Sequence, residues 1–317
     1  MRIAILDDYQ NAALAAADWK SLGRGVQIKV FDKYIKSEAA VAKALKPFDV
    51  VVGMRERTPF PKSLIARLPN LKLLVTTGMR NNSFDMQAAR AKGVVVSGTG
   101  MLGYPAAEHA AALILALYKK IAAEDRVMKR GGWQGFVSEG MKGKTLGVLG
   151  LGKLGARVAK FGQALEMDVA AWSQNLTAER CAEAGVRYVD KKTLFKTSDV
   201  VSIHLVLSDR TRGLVGKGEL AAMKPTAYLV NTSRGPIVDE KALIGALRAG
   251  RIAGAGLDVY DVEPLPKSHP FRKLKNVVLT GHTGFVVREF YAVAYGEAVE
   301  DIKAWMKGQP IRVLNAG

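Results

Sequence analysis

Three side chains in the last third of the chain suit one piece of chemistry. They are Arg234, Glu263 and His282. A guanidinium offers a planar fork of donors that can hold a carboxylate and an adjacent carbonyl together. A histidine titrates near neutrality and can hand a proton to a carbonyl oxygen that gains negative charge. A nearby carboxylate favours the protonated imidazole. Hydride attack on a 2-keto acid needs these groups. Each also has an ordinary structural use: Arg234 as an ion pair at a helix start, Glu263 as a loop carboxylate.

Their positions argue for the joint reading. Asn231-Thr232-Ser233-Arg234-Gly235 follows the apolar run Ala227–Val230, Asp258 to Glu263-Pro264 follows the run at Gly254, and Thr280-Gly281-His282 follows Val277-Val278-Leu279. Ligands of open α/β sheets bind outside the carboxyl ends of the strands. The other three histidines fit the role less well. His109 lies in an alanine-rich helix and suits packing or an interface. His204 ends the run Ser202-Ile203-His204 and is expected to line a cofactor cleft. His269 reads as part of an exposed loop before Pro270.

A nucleotide loop stands upstream, Gly150-Leu151-Gly152-Lys153-Leu154-Gly155, after the strand-like Thr145–Leu149 and before the helix-like Ala156–Leu165. In such a G-x-G-x-x-G the first glycine makes the tight turn. The second admits the pyrophosphate, and the third lets helix and strand pack. The helix N-terminus then presents N–H groups to the phosphates. An NAD-preferring protein usually has an acid about 20 residues on, at the ribose. Here that strand ends in Trp172-Ser173-Gln174-Asn175. Ser173 and Gln174 are the expected ribose contacts, and the choice between NAD and NADP stays open.

The elements that must position these groups are readable as alternation. Val- and Ile-rich runs at Arg2–Leu6, Val26–Phe31, Asp49–Gly53, Leu71–Thr76 and Val94–Ser97 alternate with helical stretches at Ser37–Leu45, Pro61–Leu68 and Asp85–Lys92. One long helix is expected from Pro105 to Arg130. Strands then resume at Thr145–Leu149, Asp168–Trp172, Val200–His204, Ala227–Asn231, Gly254–Leu257 and Val277–Thr280, and a last helix covers Val287 to Met306. Runs without period-two alternation are covered on both faces, as in parallel sheets flanked by helices. The fold class is α/β, with two Rossmann-like doubly wound parallel-sheet domains. Residues 1–100 plus 287–317 form the first domain. Residues 101–286 form an inserted dinucleotide-binding domain.

Composition narrows the class. The chain has 317 residues, 49% hydrophobic and 24% charged, with one cysteine, Cys181. An internal disulfide framework and a cysteine-cluster metal site are excluded, and no metal is expected. The formal charge is +18. Its basic residues are dispersed in pairs such as Lys119-Lys120 and Arg272-Lys273, so a solvated basic surface is expected rather than a nucleic-acid site. The longest apolar stretch, Ala110 to Tyr118, falls well short of the roughly 20 residues that span a bilayer. No membrane partner and a cytoplasmic location are expected.

The sequence resembles the D-isomer-specific 2-hydroxyacid dehydrogenase family over nearly its whole length, most strongly from Gly143 to Gly284. The matching stretches are the Gly150–Gly155 loop, Val201–Leu205, Asn231–Gly235, Leu257–Val259 with Glu263-Pro264, and Leu279–His282. The resemblance implies that Arg234 binds substrate, that Glu263 pairs with His282, and that His282 is the acid/base. It implies that Asp258 lies near the nicotinamide, and that Val206, Thr211, Thr232 and Ser233 line the cofactor site. It further implies a flavodoxin-like substrate domain whose loop Gly78-Met79-Arg80 gives N–H groups to the substrate, with Arg55 on a neighbouring loop, and a homodimer using the helix from Pro105. Ser173-Gln174-Asn175 replaces the family's common acid, Gly281 stands where proline is frequent, and Arg80 stands where glycine is common. The expected activity is hydride transfer between NAD(P)H and a small 2-keto acid such as glyoxylate or hydroxypyruvate. Two alternatives stand beside it. One is formate or phosphite oxidation on the same fold, with formate disfavoured by Glu263. The other is a dinucleotide-sensing, corepressor-like binding protein.

Overall fold

The computed structural model describes residues 1–316. The chain divides into two compact units, Met1–Leu102 with the segment from Val286, and Gly103–Phe285. The first unit runs β1 (Arg2–Ile5), α1 (Ala13–Ala16), β2 (Gln27–Val30), α2 (Glu38–Leu45), β3 (Val50–Gly53), α3 (Lys62–Ala66), β4 (Leu73–Thr76), α4 (Met86–Ala91) and β5 (Val95–Gly98). Its strands are all parallel, in the order β2-β1-β3-β4-β5. β3 and β4 are buried along their whole length, whereas the edge strand β2 alternates. Ser37 and Asp85 cap α2 and α4, accepting from the N–H groups of Ala40 and Ala88.

The second unit contains α5 (Pro105–Tyr118), α6 (Ile121–Lys129), β6 (Thr145–Leu149), α7 (Lys153–Ala164), β7 (Asp168–Trp172), α8 (Ala178–Glu183), β8 (Arg187–Tyr188), α9 (Lys191–Thr197), β9 (Val200–Ile203), α10 (Lys217–Ala222), β10 (Tyr228–Asn231), α11 (Glu240–Arg248), β11 (Gly254–Leu257) and β12 (Val277–Leu279). Its seven-stranded parallel sheet has the order β12-β11-β10-β9-β6-β7-β8. The order reverses between β6 and β9, the switch point at which doubly wound sheets bind ligands. Apolar clusters cover both faces: Phe195, Val201, Leu229 and Phe271 belong to one, Leu113, Ile114, Leu146 and Val230 to the other.

The helix expected from Pro105 to Arg130 is two helices. Lys120 sits at φ 52°, in the left-handed region, and separates α5 from α6. No glycine or proline marks that break, so composition alone reads through it.

The last helix, α12 (Arg288–Met306), belongs to the first unit. After it the chain lies along β5. Leu314 donates its N–H to the Val96 carbonyl at 2.7 Å, Gly98 donates to the Arg312 carbonyl at 3.0 Å, and Ser97 bridges Val313 antiparallel. An edge strand that would otherwise present unpaired backbone is thereby covered. Arg312 anchors this tail in a carboxylate cluster, at 2.8 Å from Asp301, 2.9 Å from Glu300 and 3.8 Å from Glu297. One guanidinium is shared among three acids, and Asp301 is fully buried with Oδ2 unpartnered. Burial therefore outweighs the ion pair and pushes the Asp301 carboxyl up to about 7. Burial works against the charged Arg312, but the same acids together outweigh it and raise the guanidinium. A carboxyl raised in the folded state binds its proton more tightly there than in the unfolded chain. Stability must then fall as pH rises from about 4 to about 7. Thermal melts of wild type and Asp301→Asn between pH 5 and 8 should show a flatter profile for the variant, whose stability relative to wild type grows toward pH 8. A difference between the two that does not change with pH would refute this.

Candidate active site

The nucleotide loop joins β6 to α7. Gly150 has φ 106°, and a Cβ there would lie 2.8 Å from the His204 carbonyl oxygen. A Cβ on Gly155 would lie 2.0 Å from the Gly150 carbonyl oxygen, so helix and strand could not close. A Cβ on Gly152 would meet nothing within 4 Å. The three positions thus separate into a turn, an open face and a packing contact, which a pyrophosphate-binding loop requires. The first N–H groups of α7, from Lys153, Leu154 and Gly155, face that open end. Gly150 donates to the Trp172 carbonyl at 2.9 Å, which sets Ser173 and Gln174 directly after the strand beside the loop. These residues fit a dinucleotide.

Other expected cofactor residues cluster after β9 and β10. Thr211 Oγ1 donates to the Val206 carbonyl at 2.7 Å and receives the Ser208 N–H at 2.8 Å, so its hydroxyl shapes its own loop. Val206 is strongly exposed. Ser233 Oγ donates to the Ile203 carbonyl at 2.8 Å, tying the loop that contains Thr232 to β9. His204 turns its imidazole back along the strand to Ser202, at 2.8 Å. Burial pushes that imidazole down to about 4, so it is neutral at ordinary pH. What His204 presents to the glycine loop is its carbonyl.

The ends of β10, β11 and β12 lie in register, with Asn231 beside Leu257 and Leu257 beside Leu279. The three motifs therefore leave one sheet edge side by side. Asn231 is buried and organises the first. Its Oδ1 accepts the Ser233 N–H at 3.0 Å and its Nδ2 donates to the Arg234 carbonyl at 3.0 Å. Arg234 Nη1 donates to the Ser233 carbonyl at 2.8 Å. Gly235 is pressed against the next loop: a Cβ there would lie 2.1 Å from the Tyr260 carbonyl carbon. Only glycine lets the arginine loop and the acid loop touch.

Glu263 Oε2 lies 2.6 Å from His282 Nδ1, and Glu263 Oε1 accepts the Tyr260 N–H at 2.9 Å. Both carboxylate oxygens are committed. The imidazole thus keeps its proton on Nδ1, which leaves Nε2 for proton transfer. His282 itself has φ 56°, a left-handed conformation that a side chain adopts at some cost. Asp258 braces it. Its Oδ1 accepts from Thr280 Oγ1 at 2.6 Å and from the Thr283 N–H at 2.8 Å, and its Oδ2 accepts the Gly284 N–H at 2.9 Å. Burial raises this carboxyl, but bonds from His109, Thr280 and Thr283 outweigh burial and hold it below its usual value.

Two histidines depart from the expectation. His269 is largely buried, with Nε2 3.0 Å from Glu240 and Nδ1 accepting the Phe271 N–H at 3.3 Å. It fastens the end of its loop instead of pointing into solvent. His109 reaches Thr280 at 2.9 Å and Asp258 at 3.4 Å. A histidine in a poly-alanine context gives no hint of that. The one sequence signal is Thr280 beside the glycine before His282.

In the first unit, Arg55 follows β3 at φ 52° and donates Nη1 to the Thr77 carbonyl at 3.2 Å. Its guanidinium lies over Gly78, where a Cβ would meet Nη1 at 2.0 Å. Asn81 bonds both the Arg55 carbonyl and Thr76 Oγ1, at 2.7 and 2.9 Å, and locks the two loops together. The Gly78 N–H is engaged by Thr99 Oγ1 at 3.1 Å, so the donors left in that loop are those of Met79 and Arg80. Both side chains are exposed.

The D-isomer specific 2-hydroxyacid dehydrogenase NAD-binding domain matches residues 111–284. The chain belongs to that family. It is 36% identical over 307 residues to a glyoxylate reductase of Aeropyrum pernix, covering 93% of this chain and 91% of that one. It is 38% identical over 291 residues to a D-3-phosphoglycerate dehydrogenase of Archaeoglobus fulgidus, of which it spans 55%. A solved phosphoglycerate oxidoreductase from Vibrio cholerae superposes with a TM-score of 0.92 at 36% identity, over 97% of this chain and 99% of that one. Family membership makes the chain an NAD(P)-dependent oxidoreductase acting on a CH–OH group. Among the described residues no helix is long and apolar enough to cross a membrane. No group of three or more His, Cys, Asp or Glu there could hold a metal.

Proposed function

We propose that the protein reduces a small 2-keto acid, such as glyoxylate or hydroxypyruvate, to the D-2-hydroxy acid. The observation that carries this reading is the Glu263–His282 pair at 2.6 Å on the sheet edge from which Arg234 also emerges. The nicotinamide supplies the hydride when bound. Arg234 holds the substrate carboxylate and polarises the carbonyl. His282 gives the proton from Nε2 as charge grows on the carbonyl oxygen. Glu263 keeps the imidazole in that tautomer and fixes its orientation. Gly150, Gly152, Lys153, Leu154 and Gly155 are the phosphate contacts in this reading, and Ser173 and Gln174 the ribose contacts. His204, Val206, Thr211, Thr232, Ser233 and Asp258 complete the cofactor site, and Arg55, Gly78, Met79 and Arg80 contribute to substrate binding. Residues 1–100 plus 287–317 then form the substrate domain, and 101–286 the NAD(P) domain.

We also propose a cytoplasmic homodimer that binds no nucleic acid. The second unit supports the dimer with an exposed apolar patch of Met128, Trp133, Phe136 and Val137, in which Trp133 is 74% and Val137 92% exposed. A free, buried Cys181 suits a reducing compartment.

The test is loss of reduced-nicotinamide absorbance with NADH and NADPH separately, against glyoxylate, hydroxypyruvate, pyruvate and larger 2-keto acids. Oxidation with any of these is the expected result. Cofactor binding without oxidation across the panel would overturn the reading in favour of phosphite oxidation or dinucleotide sensing.

A further inference from the structure

We infer that His109 is a positioning residue for the proton-transfer loop: acting through Thr280 and Asp258, it fixes the backbone that carries His282. The inference rests on the acid–base role given to His282 above.

Asp258 is stapled to both sides of His282. Thr280 lies before it, and Thr283 and Gly284 after it. The Asp258 carboxylate only accepts, so the Thr280 hydroxyl proton points at Oδ1, 2.6 Å away. Thr280 Oγ1 must then accept from His109, which places the His109 proton on Nε2. That N–H also lies 3.4 Å from Asp258 Oδ1. The relay runs from helix α5 through one hydroxyl to a buried carboxylate and ends on the catalytic backbone.

Two glycines hold this path open. Gly256 on β11 faces α5, where a Cβ would lie 3.2 Å from Leu113 Cβ and 3.3 Å from Leu117 Cδ1. The missing side chain brings α5 down onto the strand. His109 stands one helical turn before Leu113, and so meets Asp258 just beyond the strand end. A Cβ on Gly284 would lie 3.0 Å from Asp258 Oδ2, 3.5 Å from His109 Cβ and 3.6 Å from Ala106 Cα. Helix, carboxylate and loop converge at a point where a side chain would crowd the Asp258 carboxylate.

The left-handed backbone of His282 gives the staple its purpose. A residue in a sparsely populated region persists only when its surroundings over-determine it. Asp258 accepts four bonds from three residues of that loop, Thr280, Thr283 and Gly284, and His109 ties Asp258 and Thr280 to a helix. With His109 gone, the loop keeps its sequence and His282 keeps its partner Glu263. What it loses is the fixed aim of Nε2.

The experiment is steady-state kinetics on the full chain with glyoxylate or hydroxypyruvate, whichever the wild type turns over, together with titration of reduced cofactor. His109→Leu removes the donor. His109→Gln places an amide N–H where Nε2 stood. Removing a supporting partner one step behind the reacting group costs about 10- to 100-fold, by analogy with the outer shell of metal sites. His109→Leu should show that loss in kcat, with KM and cofactor affinity within about 3-fold of wild type, a shift below 1 kcal/mol. His109→Gln should recover most of kcat. Thr280→Val should match His109→Leu, Thr280→Ser should be mild, and His109→Leu with Thr280→Val should be no worse than either alone, as for residues that act as a unit. The Thr280 pair decides the matter if His109→Leu does not fold. A wild-type kcat in His109→Leu, or in Thr280→Val where His109→Leu does not fold, would overturn the inference. So would a Gln variant as impaired as Leu, because a steric role makes no distinction for the donor. His282→Ala is assayed alongside. If it is inactive while His109→Leu is normal, only this inference fails. If His282→Ala turns over normally, the acid–base reading fails and takes this inference with it.

Discussion

His282→Ala should lose about 10²- to 10⁴-fold in kcat, the usual contribution of a positioned general acid, while reduced-cofactor affinity stays near wild type. The imidazole is the one titratable ring of this sheet edge whose Nε2 is not committed. His109 Nε2 is engaged by Thr280, His204 by Ser202, and His269 by Glu240. His282 uses Nδ1 for Glu263 at 2.6 Å, which leaves Nε2 for the proposed proton transfer. Two variants separate chemistry from backbone strain. His282 stands at φ 56°, where asparagine is tolerated far better than alanine. His282→Asn should therefore melt closer to wild type than His282→Ala, and both should be equally inactive. If the Asn variant retained wild-type kcat, the proton would come from elsewhere.

Much of this edge is legible without coordinates because its signals are local. A strand buried on both faces is a short apolar run, so Thr145–Leu149 and Asp168–Trp172 stand where the sequence puts them. Arg234, Glu263 and His282 each follow such a run, and the ends of parallel strands share one side of a sheet. The glycine loop is legible for the same reason. The remaining parts depend on distant partners. His109 becomes meaningful only once Gly256 has let α5 settle on β11. The tail 311–315, Ile-Arg-Val-Leu-Asn, is too short to declare itself a strand, yet β5 has an edge that it can pair with. The break between α5 and α6 falls on Lys120 in a left-handed conformation, inside a stretch whose composition favours helix throughout. His269 follows Lys267-Ser268, which suggests solvent, but Glu240 on α11 draws it in. Gly78 is legible as a loop glycine after β4. That its N–H is taken by Thr99 is a tertiary fact.

Arg234→Ala should fail differently from His282→Ala, and the difference tests the division of labour. The guanidinium is expected to bind a carboxylate and a carbonyl oxygen. Charge-assisted bonds contribute roughly 1.5–3 kcal/mol each. Two of them lost together give about 3–6 kcal/mol, or roughly 10²- to 10⁴-fold in kcat/KM. The carboxylate bond exists in the ground state, so its loss raises KM. The bond to the carbonyl oxygen strengthens as negative charge develops, so its loss lowers kcat. Both parameters should move in Arg234→Ala, whereas His282→Ala should move kcat alone. The backbone at this position is independently secured: Asn231 holds the Arg234 carbonyl, and Gly235 packs on the Tyr260 backbone. Truncating the side chain should therefore leave the loop and the melting temperature nearly unchanged. Arg234→Lys sharpens the test. A lysine restores a positive charge but not the planar fork, so it should recover KM more than kcat. If KM were unmoved in both variants, the carboxylate would be held by other groups. If kcat were unmoved, polarisation of the carbonyl would fall to His282 alone.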